Sequence, residues 1–436
     1  MLGSLLVISL LARSAVGKSV KDYIADGIAA GRECLSEGCF LSGLLHPGDG
    51  ELYYPATVVF DKDVLTSGEE VGCYRIPSVL QNPETGVIHA FAEARFGSEA
   101  HFECADCSVL GIAHRSSTDG GLTWGESKWV VDHSPTDPTD PTSNVGGNVV
   151  TLWDGVKGRI VLHFVRGVNQ LGDCVPGNSN WEVVSEDDGL TWSTPRDISP
   201  FLGPYVGVLP GPGTGVQLEG GPRAGRIVVP AHYGTAYRDY GSAVAYYSDD
   251  HGETWAVTST PLPLMDECAV VEIGDGGVMI NMRNADEDLR QRAVAVSYDG
   301  GETFGEVVFD PQLPDPICEA SINRVEGSAG DGGEGVLIFS NPDMQYSRSR
   351  LTVKFSDDQG VTWGRSLLLA DRMSDYSSLV SGSLGGEGEE GGVLWGSCNK
   401  PMPWRVWCED AREWNVLWTR FPLDGGAGNG VEVEDM

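Results

Sequence analysis

Ser248-Asp249-Asp250-His251-Gly252-Glu253-Thr254-Trp255 has four near copies in this chain. They are STDGGLTW from Ser117 to Trp124, SEDDGLTW from Ser185 to Trp192, SYDGGETF from Ser297 to Phe304 and SDDQGVTW from Ser356 to Trp363. The shared form is S-x-D-x-G-x-T-[WF], recurring every 49 to 68 residues. A fixed pattern at such spacing is the mark of a repeat architecture. Its residues suit a tight hairpin turn. The Asp accepts hydrogen bonds from amides of its own turn, and the Gly takes a positive φ. The terminal aromatic then packs between sheets. Each copy follows a strand-like run, such as Ala243-Val244-Ala245-Tyr246-Tyr247 or Ala293-Val294-Ala295-Val296.

A four-stranded sheet with its connections takes roughly 45–60 residues, the scale of a propeller blade. The expectation is an all-β, six-bladed β-propeller over residues 56–424. Five blades carry the box. The sixth is expected to join the first strand, Ala56 to Phe60, to the last, Val416 to Phe421, which closes the ring without a free sheet edge. The abundance of Gly, 59 residues, and Pro, 24, agrees with turn-rich all-β structure. The boxes are structural, so function has to be read elsewhere.

A formal net charge of −34 argues against nucleic acid or an anionic membrane surface as partner. Residues 1–17 contain the apolar run Leu2 to Ala12 and then small residues, the pattern of a secretory signal peptide without a basic start. That run is short for a bilayer span, so no stable membrane insertion is expected. The implied localisation is secreted or lysosomal/endomembrane. Residues 18–55 read as a cap segment with a short helix, and 425–436 as an acidic, Gly-rich tail. Ten cysteines in such a chain predict disulfides, with Cys34–Cys39 and Cys104–Cys107 as local candidates. Cys104-Ala105-Asp106-Cys107 resembles half a zinc site, but no second half accompanies it. No metal and no cofactor are expected.

Between the boxes lie segments of another kind. Tyr74-Arg75-Ile76-Pro77 precedes His89-Ala90-Phe91-Ala92-Glu93-Ala94-Arg95, and Asp106 stands nine residues before Arg115. Asp266-Glu267-Cys268-Ala269-Val270-Val271-Glu272 leads to Arg283. Phe339-Ser340-Asn341-Pro342 leads to Arg348, and Asp375-Tyr376-Ser377-Ser378-Leu379 follows. Read singly, Arg75 suits a surface site, Asp106 a loop carboxylate and Tyr376 a packing tyrosine. Glu272 competes with Glu267, and Arg350 with Arg348, while Arg290 and Arg292 read as solvated strand residues.

In this order, interleaved with the boxes, the segments resemble the exo-α-sialidase (neuraminidase) family with Asp-box (BNR) repeats. The resemblance covers nearly the whole propeller. It implies catalytic Asp106, Glu267 and Tyr376, with Tyr376 as nucleophile, Glu267 taking its proton and Asp106 as acid and base. It implies that Arg75, Arg283 and Arg348 grip the sialic acid carboxylate, and it adds Arg95 and Glu93 to the substrate-binding set. In the family a Leu-Tyr-Glu segment supplies a Glu that braces the first Arg. Here the comparable stretch is Leu394-Trp395-Gly396-Ser397, without a carboxylate, which leaves Glu93 as the candidate brace. The Arg95–Asp106 loop is longer than in compact members.

The chemistry suits these residue types. Three guanidiniums give a carboxylate charge-assisted, bidentate bonds and stay cationic at any working pH. A tyrosine nucleophile is neutral until it attacks and so escapes repulsion from that carboxylate. Sialidases are known exceptions to the two-carboxylate glycosidase scheme. The implied activity is retaining hydrolysis of terminal α-linked sialic acids from glycoproteins, glycolipids such as gangliosides, and oligosaccharides. A trans-sialidase, a hydrolase of Kdn-type nonulosonic acids, and a non-catalytic glycan-binding propeller are the alternatives.

Overall fold

A computed structural model describes residues 51–423 apart from 97–103, 105, 107–108, 134–145, 171–172, 206, 234–240, 285–288, 326–334, 383, 385–389 and 399–412. The chain divides into two units, Met1–Pro47 and Gly48–Met436. The first lies outside the described residues, as do the expected signal peptide, the Cys34–Cys39 pair, most of the cap segment and the acidic tail.

The described residues form six sheets. Strand β1 (Ala56–Phe60) comes first and is used last. Blade 1 is β2 (Cys73–Gln81), β3 (Ile88–Phe96), β4 (Val109–Ser117) and β5 (Lys128–Val131). Blade 2 is β6 (Gly146–Asp154), β7 (Arg159–Gln170), β8 (Asp173–Ser185) and β9 (Arg196–Asp197). The link onward holds three short strands, β10 (Leu209–Pro210), β11 (Gly213–Thr214) and β12 (Val216–Gln217). Of these, β11 runs parallel to β6 and thus belongs to blade 2, while β10 and β12 pair with blade 3. Blade 3 continues with β13 (Ile227–Tyr233), β14 (Ser242–Ser248), β15 (Ala256–Val257) and β16 (Leu262–Pro263). Blade 4 is β17 (Met265–Ile273), β18 (Gly277–Asn284), β19 (Gln291–Ser297) and β20 (Val308–Pro314). Blade 5 is β21 (Ser321–Val325), β22 (Val336–Pro342), β23 (Ser349–Ser356) and β24 (Arg365–Met373). Blade 6 is β25 (Ser377–Gly382), β26 (Glu390–Cys398) and β27 (Trp414–Pro422), completed by β1. The antiparallel pairing of Ala56 with Thr419 and Val58 with Leu417 is the expected closure.

Every box sits at the turn from the third to the fourth strand of its blade. The Asp accepts the Thr amide four residues on at 2.7–2.9 Å in all five copies. The Ser hydroxyl receives the Gly amide, as in Gly121 N to Ser117 Oγ at 2.8 Å. The aromatic then fills a joint between blades. Trp192 meets Phe91 of blade 1 edge-on at 5.8 Å, and Trp255 meets His163 of blade 2 at 4.8 Å. Trp124 lies 5.9 Å from Trp418, which brings blade 1 onto the box-less blade 6. Trp418 Nε1 donates to Gly120 O at 3.1 Å. A Cβ at Gly121, whose φ is +85°, would lie 2.0 Å from that nitrogen, so this joint requires glycine. Apolar clusters of this kind occupy each of the six joints, and burial of their Val, Ile, Leu and aromatic side chains holds the ring together.

Segment 51–55, read from sequence as part of the cap, lies along blade 5. Tyr53 N donates to Leu369 O at 3.0 Å, and Tyr54 is buried there.

Register separates the two ends of each blade. In blade 1, Arg75 lies opposite Glu93 and Glu93 opposite Ile112, whereas Gln81 lies opposite Ile88 and Ile88 opposite Ser117, which opens the box. Six residues of strand separate Arg75 from Gln81, about 20 Å. The boxes therefore lie at the end of the blade away from Arg75.

Candidate active site

At that other end the inner strands are irregular. Pairing slips between Arg75 and Ser78, between Gly147 and Val150, and between Met265 and Cys268. In blade 5 it slips between Ser349 and Leu351 on the third strand. Ile76, Asn148, Leu264 and Arg350 have positive φ at or beside these points, as does Ile317 ahead of the first strand of blade 5. A β-branched residue such as Ile76 at φ 55° is strained. Bulges of this type turn side chains out of the alternating pattern of a strand. Arg75 and Glu267 lie at such slips and Arg348 beside one, and with Arg283 and Tyr376 they meet from four blades.

Tyr376 is buried, and its Oη donates to Glu267 Oε1. Arg283 Nη1 donates to Glu267 Oε2 at 2.6 Å and to Tyr376 Oη at 3.3 Å. Burial first, then the Glu267 carboxylate, push the phenol pKa well above its usual value; Arg283 and Arg348 offset this only in part. The hydroxyl is therefore protonated at rest and carries its own proton acceptor.

The guanidiniums of Arg75 and Arg348 each stand 5.7 Å from the centre of the Tyr376 ring. A single carboxylate joins them. Asp375 Oδ2 accepts from Arg75 Nη2 at 2.7 Å, and its Oδ1 accepts from Arg348 Nη1 at 2.6 Å. Arg348 Nη2 donates to Ile317 O at 2.7 Å, and the Trp414 ring lies 4.9 Å beneath the Arg75 guanidinium.

Asp106 sits at the rim with its side chain 66% exposed. Its Oδ1 accepts from Arg95 Nη1 at 2.8 Å and Arg75 Nη1 at 3.1 Å. Desolvation at the pocket wall pushes its pKa up, but Arg95 and Arg75 outweigh it and hold the carboxyl well below the usual range. Cys104, two residues earlier, is disulfide-bonded to Cys73 at the start of β2. That bond corrects the Cys104–Cys107 expectation and removes Cys104 as a metal ligand. It ties the segment carrying Asp106 to the strand carrying Arg75.

Two further readings change. Glu93 does not brace Arg75: its Oε2 accepts from Arg95 Nε and Nη2 at 3.0 and 2.6 Å, and its Oε1 accepts the Asn148 amide at 2.7 Å. It holds Arg95, which in turn holds Asp106. Arg292 is fully buried, not solvated. It donates to Asn281 Oδ1 at 2.8 Å, to Cys318 O at 2.7 Å and to Asp315 Oδ2 at 3.4 Å, fixing the segment whose Ile317 carbonyl holds Arg348. The competitors lie elsewhere. Glu272 accepts the amides of Glu219 and Gly220, and Arg350 pairs with Asp371 at 3.6 Å.

Two residues escaped the sequence reading. Asp375 was visible only as the first letter of its segment, although a carboxylate next to the tyrosine, and none at Leu394 to Ser397, was a signal. Glu319 is buried, accepts the Ser377 amide at 2.9 Å, and burial pushes its pKa well above the usual carboxyl value. Nothing in its sequence context marks it.

The BNR repeat-like domain family matches residues 106–386. The chain is 33% identical over 359 residues to a sialidase of Micromonospora viridifaciens, covering 78% of this chain and 52% of that protein. It is 30% identical to sialidase-3 of Bos taurus, covering 71% of this chain and 82% of that protein. Among solved structures, a Hadza microbial sialidase superposes with a TM-score of 0.64 at 27% identity, over 80% of this chain and 66% of that one. The chain spans about half the length of the bacterial sialidases of Micromonospora viridifaciens and Bacteroides fragilis, 52% and 54%.

Proposed function

Because this chain belongs to the BNR-repeat sialidase family, we propose that it is a retaining exo-α-sialidase acting through a tyrosine-linked sialyl-enzyme. The observation that carries this reading is the buried Tyr376–Glu267–Arg283 contact beside the Arg75–Asp375–Arg348 pair.

The substrate carboxylate enters the space between Arg75, Arg283 and Arg348. Tyr376 Oη attacks the anomeric carbon while its proton passes to Glu267 Oε1. Arg283, bonded to Tyr376 Oη and to the other Glu267 oxygen, Oε2, balances the charge that moves between the two side chains. Asp106 protonates the departing oxygen and later takes a proton from the attacking water. Arg95 and Arg75 favour its ionised form. A bound carboxylate compensates that positive charge, so substrate raises the proton affinity of its own general acid.

The proposed substrates are terminal α-linked sialic acids on glycoproteins, gangliosides and oligosaccharides. The proposed localisation is secreted or lysosomal/endomembrane, supported by the Cys73–Cys104 disulfide, since such bonds persist in oxidising compartments. The test is release of fluorophore from 4-methylumbelliferyl α-glycosides of Neu5Ac and Kdn, with lactose added to reveal transfer. Hydrolysis of at least one is expected. Release from neither overturns the reading.

A further inference from the structure

A buried carboxylate between two arginines has to do something for them. Asp375 is 2% exposed and gives one oxygen to Arg75 and the other to Arg348. Its backbone is clamped as well, since Asp375 N donates to Gly396 O at 2.8 Å and Gly396 N donates to Tyr376 O at 2.9 Å. Residue 396 therefore lies directly across from the Asp375–Tyr376 step. A Cβ added at Gly396 would come within 3.3 Å of Asp375 Cβ. A side chain at 396 would therefore press on the Asp375 side chain. The Leu394 to Ser397 stretch offers no carboxylate of its own.

We propose that Asp375 is the positioning residue that locks Arg75 and Arg348 into one carboxylate-binding unit, from space left open by Gly396. Two guanidiniums that both face one pocket repel each other, and a shared anion removes that cost and fixes their planes. A guanidinium carries five N–H donors, so a bond to Asp375 leaves others for a substrate. Because Asp375 directly precedes Tyr376, the same backbone step that aims the phenol also sets the separation of the two arginines. Cys318 Sγ, 3.5 Å from Asp375 Oδ1, closes the remaining side.

This inference rests on the sialidase reading, and the experiment separates the two. Kinetics are measured on an aryl α-sialoside and on its methyl ester, together with melting curves. Wild type should prefer the free acid. Asp375→Asn keeps the shape and loses the charge. Its kcat/KM on the acid should fall ~30-fold or more, the scale for unpairing a buried charge, while the ester is nearly spared, so the acid-over-ester preference collapses. A general loss of structure would depress both substrates alike. The exchange Asp375→Gly with Gly396→Glu returns a carboxylate from the facing strand and should recover at least tenfold over Asp375→Gly alone. If Asp375→Asn fails to fold, the exchange decides: recovery of folding and acid preference supports the role, and failure of both overturns it. An active wild type whose Asp375→Asn variant keeps its acid preference within threefold overturns this inference alone. A wild type inactive on both substrates overturns the functional reading and this inference with it.

Discussion

At the box end of the propeller, Asp119, Asp187, Asp250, Asp299 and Asp358 repeat one bonding pattern; at the other end, Asp106, Glu267 and Asp375 each have a different one. A box carboxylate accepts from Ser, Thr and an amide of its own turn, all within four residues in sequence. The carboxylates at the site are held by arginines from other segments, 11 residues away for Asp106 and Arg95, 16 for Glu267 and Arg283, and 300 for Asp375 and Arg75. Local, neutral bonds can be copied blade after blade because each copy completes itself. The site's ionic bonds are not copied, because each joins two different segments, and the Asp375–Arg75 pair forms only where blade 6 meets blade 1. The repeat thus builds the scaffold, and the departures from it build the chemistry.

If that division is right, the largest effects on turnover come from the irregular end with little change in melting. Tyr376→Phe should keep the buried ring and lose about 10³-fold or more in kcat/KM, the scale on which removing a reacting group acts. Near-normal turnover would put the nucleophile elsewhere. Asp106→Asn should slow alkyl sialosides by roughly 10²–10⁴-fold and aryl sialosides far less, since an aryl oxide needs little protonation to depart. Equal losses would remove Asp106 as the acid. For wild type, kcat/KM on alkyl sialosides should fall as pH rises, because the free-enzyme carboxyl is held acidic by Arg95 and Arg75. A rate that climbs toward neutral pH would contradict this.

The box end should answer with stability and not with rate. Asp250→Ala removes the acceptor of Thr254 N at 2.8 Å and of Thr254 Oγ1 at 2.6 Å. About 1 kcal/mol of stability should be lost, at the low end because the turn is partly solvated, with KM unchanged. A shifted KM at constant melting temperature would mean that the boxes reach the substrate.

A smaller effect is expected from pH. The Thr123 hydroxyl, then the Thr123 amide and Ser117, lower the Asp119 pKa to about 2 from 3.8, and the other four box carboxylates are lowered too. A depressed folded-state pKa contributes stability above the unfolded value, and that contribution is lost as pH falls toward the folded value. Melting should therefore soften between about pH 4 and pH 2, less so in Asp119→Asn. An equal slope in the variant would show that the box carboxylates do not carry it.

The same division explains what could be read from the sequence. The five boxes, the blade count and the closure by Ala56–Phe60 against Trp414–Pro422 follow from local patterns. The segments bearing Arg75, Glu267, Arg283, Arg348 and Tyr376 were legible because each carries its own motif, and the structure brings them together. What stayed hidden is which partner each group takes. The Cys73–Cys104 bond competed in the sequence with a nearer cysteine, Cys107. Arg292 looks like any strand arginine until Asp315 and the Cys318 carbonyl close over it. Glu93 was legible as part of the site but not as the partner of Arg95. The carboxylate on Arg75, expected of Glu93, is that of Asp375, across from Gly396, a pairing that shows only when two neighbouring strands are seen side by side.

The measurement that bears most directly on the central claim is the configuration of the first sugar released. In the proposed mechanism Tyr376 attacks from one face and water then attacks the same carbon from the opposite side, so two inversions give net retention. Proton NMR during the first minutes of hydrolysis should show the α-anomer of sialic acid appearing first, with the β-anomer growing in by mutarotation. Appearance of the β-anomer first would mean a single displacement by water, and would contradict Tyr376 as the nucleophile.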